Sequence, residues 1–232
     1  MAAPAVRTAI PAQIQGRTAA SERCSFVDSV SSRLTPHEWR RRLVHMSPGI
    51  FPFVFMSIPH ADPLPYQAMF PVVAVTLLFT LIALLKTALF VRRGERGWAT
   101  SVISYAVIIT AMLVAFPAYP ELGMTVTIII AFGDGSATLA GKLMGGKRLP
   151  WNRRKSWVGF SAFLLCSAPL ATLAFWGEAR PGLSLPVALA CVVPTVLAAA
   201  LAESLPTRIN DNIRVGVAAG LTISITHAMF VG

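Results

Sequence analysis

The sequence contains little charge for its length. Only 13% of its 232 residues are Asp, Glu, Lys or Arg, and 55% are hydrophobic, whereas soluble domains have about 25% charged residues. A composition this apolar excludes both a water-soluble globule and a disordered chain. The sequence therefore predicts a protein that is embedded in a lipid bilayer.

Acidic residues and cysteines are both scarce. Ten Asp and Glu are outnumbered by twenty Lys and Arg, which gives a formal net charge of +10. The three cysteines are Cys24, Cys166 and Cys191; they lack metal-ligand spacing, and two of them lie in apolar segments. We therefore expect neither a disulfide framework nor a zinc site.

Long apolar segments predict an all-α, polytopic membrane protein, because a helix needs about 20 mostly apolar residues to cross a bilayer. Six segments are long enough and one at the front is short. The predicted spans are 46–59, 68–91, 98–118, 122–144, 156–176, 183–205 and 213–231. Residues 1–33 are predicted to be a flexible tail, with an organellar targeting segment as the alternative, and 34–232 a single membrane domain.

The basic residues predict the orientation. Sixteen Lys and Arg lie on alternate loops, and only Arg180 lies on the opposite loops. Because Lys and Arg in short loops stay in the cytoplasm, this asymmetry predicts seven spans with a cytoplasmic N-terminus. The positive charge is thereby explained by topology, and we expect no nucleic-acid partner. The predicted location is a bacterial inner membrane.

An acid interrupts the fourth predicted span. Asp134 follows eight mostly apolar residues and lies between Gly133 and Gly135, which lower the cost of irregular backbone. Ionisable groups in spans are costly, so each one indicates a function. Asp134 is predicted to bind a cation or a phosphate; the alternative is that it caps the helix that follows.

The loop 147–157 is strongly basic. Lys and Arg supply the charge that a polyphosphate needs, and Ser156 is predicted to begin a helix whose unpaired amides face a bound anion. Attraction to anionic lipid headgroups is the alternative. Another cationic segment, near the start of the chain, ends at His45. This histidine is predicted either to touch a phosphate or simply to be hydrogen-bonded.

Two further acids, Glu203 and Asp211, flank Pro206 at the same predicted face of the membrane. Together with Asp134 they predict three cytoplasmic carboxylates, enough to hold one or two Mg²⁺ ions that bridge substrate phosphates. The alternative is that Glu203 and Asp211 pair with Arg208 or Arg214.

These motifs together resemble one family. They are 132–137 (FGDGSA), Gly141 and Gly145, 149–152 (LPWN), 154–159 (RKSWVG), 202–207 (AESLPT), Asp211 with Asn212, and 41–45 (RRLVH). Over about residues 37–232 the chain resembles the phytol kinase, dolichol kinase and CTP-dependent diacylglycerol kinase family. The wording is nearest to the phytol kinase branch. Some motifs are also similar to those of phosphatidate cytidylyltransferases.

The resemblance implies a kinase that transfers the γ-phosphoryl group of CTP, or of another nucleoside triphosphate, to a long-chain isoprenoid alcohol such as phytol, geranylgeraniol or a polyprenol. It implies a site at the cytoplasmic face with Mg²⁺ as the cofactor. The predicted site residues are Asp134, Lys155, Glu203 and Asp211 for catalysis, Gly133, Gly135, Arg154, Lys155, Ser156 and Asn212 for the nucleotide, and Asp134 and Asp211 for the metal.

The chain also departs from the family pattern. It has Phe160 and Ser161 where the family often has Gly-Ser, and Val215 and Gly216 where a proline often follows Asp-Asn. A phosphatidate cytidylyltransferase is the alternative, although such enzymes carry a richer acidic motif near their C-terminus. A small transporter is a remote alternative, because intramembrane acids also serve ion transport.

Overall fold

The computed structural model describes residues 35–60, 65–90, 98–179 and 182–232. Within these ranges there are helices and turns but no β-strand, so the predicted all-α class is confirmed there. The predicted tail, 1–33, lies outside the described residues. The assignment of 34–232 to a single domain stays a prediction.

Nine α-helices occur in the described ranges. They are α1 (Pro36–Met46), α2 (Phe51–Met56), α3 (Tyr66–Phe90), α4 (Trp98–Ala115), α5 (Pro120–Ile128), α6 (Gly135–Leu143), α7 (Trp157–Glu178), α8 (Leu185–Ser204) and α9 (Asp211–Phe230). A 3₁₀ turn, Ser47–Ile50, joins α1 to α2. A π-helical turn, Ile129–Asp134, joins α5 to α6 without a break.

Four helical segments are long and apolar enough to cross a membrane: Pro120–Leu143, Trp157–Glu178, Leu185–Ser204 and Asp211–Phe230. Two shorter apolar helices, Phe70–Leu85 and Ala99–Ala115, accompany them in the described part of the chain. The protein is therefore a membrane protein. The count of seven spans and the cytoplasmic position of the site stay predictions.

Apolar side chains on the outer surface of the helices agree with a lipid environment. In α8 and α9 a large apolar residue is exposed at every fourth position, which is one face of a helix. These residues are Leu185, Leu189, Val193, Leu197 and Leu201 in α8, and Ile213, Val217, Leu221, Ile225 and Met229 in α9. Two such continuous apolar stripes are unfavourable in contact with water but not in contact with lipid tails.

The segment Pro120–Leu143 is the central helix of the bundle. Of its most apolar stretch 78% is buried, against 39% for the other three long helices. Helix α9 packs against α4 through small residues, because a Cβ on Gly216 would lie 2.6 Å from the Ile108 side chain. Such close approach is a common way of packing helices in membranes.

Each end of the bundle carries a polar cluster. At one end α6 and α8 finish while α7 and α9 begin, and the predicted site residues lie there. At the far end His60 Nε2 lies 2.6 Å from Glu178 Oε1, and His227 Nε2 lies 3.3 Å from Glu121 Oε1. The sequence predicts no role for these histidines, because their acidic partners are distant in sequence.

Candidate active site

The π-helical turn places Asp134 inside the bundle. It contains an extra residue relative to an α-helical turn, and such turns are frequent at functional sites. Asp134 is buried and its side chain makes no capping hydrogen bond to α6. The capping alternative is therefore wrong, and the carboxylate is left for other partners.

Two residues of α1 are the partners of Asp134. Arg42 Nη1 lies 3.5 Å from Asp134 Oδ2, and His45 Nε2 lies 3.3 Å from the same oxygen. The His45 ring also packs edge-on against Tyr105, with centroids 5.6 Å apart. Burial lowers the pKa of the Arg42 guanidinium, and the charge of Asp134 partly opposes this effect. Arginine remains protonated in proteins, so Arg42 is a fixed positive charge beside Asp134.

Helix α1 is held in this position at its start and at its end. Thr35 and Glu38 form a reciprocal capping box, and Glu38 Oε1 also accepts a hydrogen bond of 2.5 Å from Lys142 at the end of α6. The bond from Lys142 lowers the pKa of Glu38, although burial opposes it. At the other end of α1, Met46 packs on Gly135.

The glycines that flank Asp134 provide space for packing. A Cβ on Gly133 would lie 2.6 Å from the Phe163 ring, and a Cβ on Gly135 would collide with Met46. Both glycines are buried. Their predicted contact with the nucleotide stays a prediction, since the structure shows each of them against a protein side chain.

The basic loop is closed by its own backbone. Leu149 N donates to Lys155 O at 3.0 Å, and Trp157 N donates to Lys147 O at 3.0 Å. Leu149 anchors the loop because its side chain is buried. These bonds set the positions of Lys155 and of Ser156, which directly precede α7.

The loop also binds the end of α8. Asn152 Nδ2 donates to Ser204 O at 2.9 Å, and Trp151 Nε1 donates to Ser204 Oγ at 3.0 Å. The LPWN motif therefore brings the basic loop next to Glu203. This contact is absent from the sequence prediction, which assigns no role to these two side chains.

Lys155 is the centre of the polar cluster. Its ammonium group is hydrogen-bonded to Glu203 and lies 3.6 Å from Asp211 Oδ2. Burial lowers the pKa of Lys155, but the negative charges of Glu203, Asp211 and Asp134 outweigh it, so the pKa is raised. The structure thus places two of the predicted catalytic acids, Glu203 and Asp211, beside Lys155, and the third, Asp134, near enough to interact with it electrostatically.

Two predicted nucleotide ligands have different surroundings. Ser156 is the N-cap of α7, and its Oγ accepts a hydrogen bond from Gly159 N at 3.1 Å. This confirms that Ser156 begins a helix and shows that its hydroxyl oxygen accepts the capping hydrogen bond. Arg154 is exposed, and its backbone N donates to Asn152 Oδ1 at 3.1 Å.

The start of α9 is tied to its neighbours by polar side chains. Asn212, a predicted nucleotide ligand, is buried and donates through Nδ2 to Ser101 O of α4 at 2.8 Å. Arg214 donates to Ala202 O at 2.6 Å and to Leu205 O at 2.8 Å, which satisfies carbonyls at the end of α8. Asn212 therefore fixes the start of α9 to α4, and Arg214 fixes it to the end of α8.

The pairing alternative for the acids is half correct. Asp211 forms an ion pair with Arg214. Glu203 pairs with Lys155 and not with Arg208 or Arg214. The described residues contain no group of three or more His, Cys, Asp and Glu arranged to hold a metal ion. The three carboxylates therefore do not form a metal cluster by themselves.

Helix α1 contributes more to the site than the sequence predicts. The sequence leaves His45 open between a phosphate ligand and an ordinary hydrogen-bonded residue, and Arg42 is only one of the basic residues that predict the orientation. Arg42 and His45 are three positions apart, so one helix presents both side chains on the same face. That spacing is the signal that could have identified them as a pair facing one acid.

Comparison with known proteins agrees with the family resemblance. The chain is 31% identical over 121 residues to a wheat protein, "Probable phytol kinase, chloroplastic", and 29% identical over 121 residues to rice "Probable phytol kinase 1, chloroplastic". It is 29% identical over 128 residues to soybean "Probable phytol kinase 2, chloroplastic". Each match covers 49% of this chain and respectively 40%, 38% and 41% of the relative. No family model and no solved structure matches the chain.

The predicted resemblance to phytol kinases is thereby confirmed over half of the chain, while the relation to cytidylyltransferases stays a prediction. The chain spans about two fifths of the length of the curated relatives it matches. These relatives are plant proteins described as chloroplastic, so the predicted bacterial inner membrane is not supported.

Proposed function

We propose that this membrane protein is a lipid-alcohol kinase. It transfers the γ-phosphoryl group of CTP, or of another nucleoside triphosphate, to the hydroxyl of a long-chain isoprenoid alcohol such as phytol, geranylgeraniol or a polyprenol. The similarity to plant phytol kinases supports the reaction class. The arrangement around Lys155 is the structural observation that carries the proposal.

The charges around Lys155 suit phosphoryl transfer. This reaction needs little covalent help from the protein; it depends on positioning and on stabilising the charge of the transferred group. Lys155 and Arg42 supply positive charge, and Asp134, Glu203 and Asp211 supply carboxylates in the same centre. We propose that Lys155 binds the phosphates, with exposed Arg154 at the edge of the site as an additional cation.

The proposed phosphoryl transfer needs no reactant besides the alcohol and the nucleotide. The alcohol oxygen forms a bond to the γ-phosphorus while the bond from that phosphorus to the β–γ bridging oxygen breaks, and CDP leaves. The proton of the hydroxyl passes to a carboxylate. Asp134, Glu203 and Asp211 are equivalent candidates for this base.

Mg²⁺ is the proposed cofactor. Carboxylate oxygens are the ligands this ion prefers, and one or two of them suffice when substrate phosphates complete the coordination. Asp134 and Asp211 fit this requirement, because each lies beside a cation that can exchange its partner for a phosphate. When bound, the ion would neutralise charge on the phosphates.

The alcohol is proposed to reach the site from the adjacent leaflet. The stripes of exposed apolar residues on α8 and α9 place these helices against lipid, and the site lies where they end and begin. A long isoprenoid chain could remain in the bilayer while its hydroxyl meets the polar centre at headgroup depth. The proposed partners are therefore a nucleoside triphosphate, the alcohol and the bilayer.

An isotope experiment tests the reaction against its alternative. Purified protein in lipid is incubated with phytol, phosphatidate, Mg²⁺ and CTP labelled at either the α or the γ position. A kinase moves γ label into phytyl phosphate and leaves α label in soluble CDP. A phosphatidate cytidylyltransferase moves α label into the lipid and releases pyrophosphate, and that outcome would overturn the kinase proposal.

A further inference from the structure

The helix α1 contributes a cation to the centre of the site. Arg42 and His45 both approach Asp134 Oδ2, and only 17% of the Arg42 side chain and 20% of the His45 side chain are exposed. Arg42 also interacts electrostatically with Asp211 across the site. A side chain that served only to mark topology would extend from the surface into water.

Lys155 and Arg214, the two other cations that contact the carboxylates of the site, have more partners than Arg42 has. Lys155 is bonded to Glu203 and close to Asp211. Arg214 uses its guanidinium on two backbone carbonyls of the α8 end and on Asp211. Within the described residues Arg42 makes one ion pair, through one nitrogen, at the long distance of 3.5 Å.

A guanidinium has five N–H donors in a planar fork that matches the oxygens of a phosphate. Arg42 can therefore keep a contact with Asp134 while other donors bind a phosphate group. A metal ion bound to Asp134 would compete with Arg42 for the carboxylate oxygens. The attraction between Asp134 and Arg42 would then be weaker. Both effects leave N–H donors of Arg42 available to a phosphate.

We infer that Arg42 is a phosphate-binding residue of the site and that, from its place on α1, it contacts the β- or γ-phosphate of the nucleotide. This inference rests on the proposed kinase function and adds Arg42 to the residues that bind the nucleotide. His45 is then a positioning residue, because it holds the Asp134 carboxylate from the same helix face. The ligand class is a nucleoside triphosphate with Mg²⁺.

The chain offers matched controls for this inference. Arg40 has the same charge on the same helix but is exposed. Lys142 anchors α1 through Glu38 at a distance from the centre, with 41% of its side chain exposed. Four variants therefore separate three effects. Phosphate binding is tested by Arg42→Ala and Arg42→Lys, the charge of α1 by Arg40→Ala, and the docking of α1 by Lys142→Met.

The experiment measures kcat and KM for CTP and for phytol with the full chain in lipid. Arg42→Ala should raise the KM for CTP by about tenfold or more, the effect of losing a charge-assisted hydrogen bond, with KM for phytol changed by less than about twofold. Arg42→Lys should recover part of the CTP affinity. Arg40→Ala should match wild type, and Lys142→Met should change the KM for CTP by less than about threefold.

Equal effects of Arg42→Ala and Lys142→Met on the KM for CTP would overturn the inference, since α1 would then act only by docking. So would a CTP KM that Arg42→Ala leaves unchanged. If wild type transfers no phosphate to phytol, the proposed function fails, and equilibrium binding of CTP and of inorganic triphosphate with Mg²⁺ decides the inference alone. Weakening by about tenfold in Arg42→Ala supports it, and equal binding rejects it.

Discussion

At the residue scale, the charged centre shows what a sequence can and cannot predict. Asp134, Lys155, Glu203 and Asp211 stand out because an ion near a membrane span is costly, and in the structure the three acids lie around the ammonium group of Lys155. Which cation pairs with which acid is a property of the tertiary fold. The spacing of Arg42 and His45 indicates that the two face a common partner, but it does not identify Asp134 as that partner, because Asp134 is far away in sequence.

The pairing of Lys155 with Glu203 leads to a prediction. Lys155→Met should destabilise the protein by about 1–3 kcal/mol, because it leaves buried Glu203 without its partner, while partial exposure of the lysine limits the loss. Adding Glu203→Gln should recover most of the stability. Thermal unfolding in detergent measures both effects.

Activity should respond differently in these variants. If Lys155 binds phosphates, the double variant regains stability but not CTP-dependent phosphorylation of phytol. Recovery of both would show that Lys155 has a structural role only. The pKa of Lys155 is raised, so its contribution to stability is fully present below the ordinary lysine pKa and is lost only as the pH rises through the folded value. Loss of the contribution of Lys155 should therefore begin only above about pH 9.

At the element scale, the helices were predictable and their contacts were not. The apolar lengths of α7, α8 and α9 follow directly from the sequence. The sequence indicates irregular backbone near Asp134, but it could not specify a π-helical turn, since that depends on how α5 and α6 fit their neighbours. The same holds for the LPWN loop, whose attachment to Ser204 joins residues 52 and 53 positions apart.

Helix contact at Gly159 gives an element-scale prediction. A Cβ on Gly159 of α7 would lie 2.8 Å from the carbonyl oxygen of Ala137 in α6, and a backbone atom cannot easily move away. Gly159→Ala should cost about 1–3 kcal/mol in spite of the better helix propensity of alanine. It should also lower activity, because α6 and α7 both support the site.

Gly123 is the matched control in α5. A Cβ there would make its nearest contact at 3.6 Å, which is ordinary van der Waals distance. Gly123→Ala should be neutral or stabilising by up to about 1 kcal/mol. Similar melting temperatures for Gly123→Ala and Gly159→Ala would contradict the close contact between α6 and α7.

At the scale of the whole molecule, charge distribution and fold agree on a bundle with two different ends. One end combines the basic loop with the carboxylates around Lys155, and the other has the buried pairs His60 with Glu178 and His227 with Glu121. Composition alone predicts the membrane. The far-end pairs were not predictable, because each joins residues that are close only after the helices have packed.

The orientation of the bundle can be measured by cysteine labelling. After Cys24, Cys166 and Cys191 are replaced, Arg153→Cys should react with a membrane-impermeant thiol reagent only from the cytoplasmic side. Gly182→Cys, at the opposite end, should react only from the other side. Arg153 suits this test better than its neighbour Asn152, because Arg153 is exposed whereas the Asn152 side chain is buried and bonded to Ser204.

The labelling is done in sealed vesicles of both orientations, so that each face of the membrane is exposed to the reagent in turn. Reaction of both cysteines from the same side would contradict the placement of residues 153 and 182 at opposite ends of the bundle. Reaction of Arg153→Cys from the non-cytoplasmic side alone would reverse the predicted orientation, and with it the compartment that supplies the nucleotide.

The π-helical turn has a consequence for how such chains change by insertion and deletion. Because the turn holds one residue more than an α-helical turn, a single deletion within Ile129–Asp134 can leave an unbroken helix from Pro120 to Leu143. Each residue accounts for about 100° of helix rotation, so the deletion would turn the carboxylate relative to α5 while preserving the span. A related chain one residue shorter here would keep the membrane helix and lose the acid from the centre. We therefore expect a one-residue gap in this turn to mark related chains that share the helices but not the site.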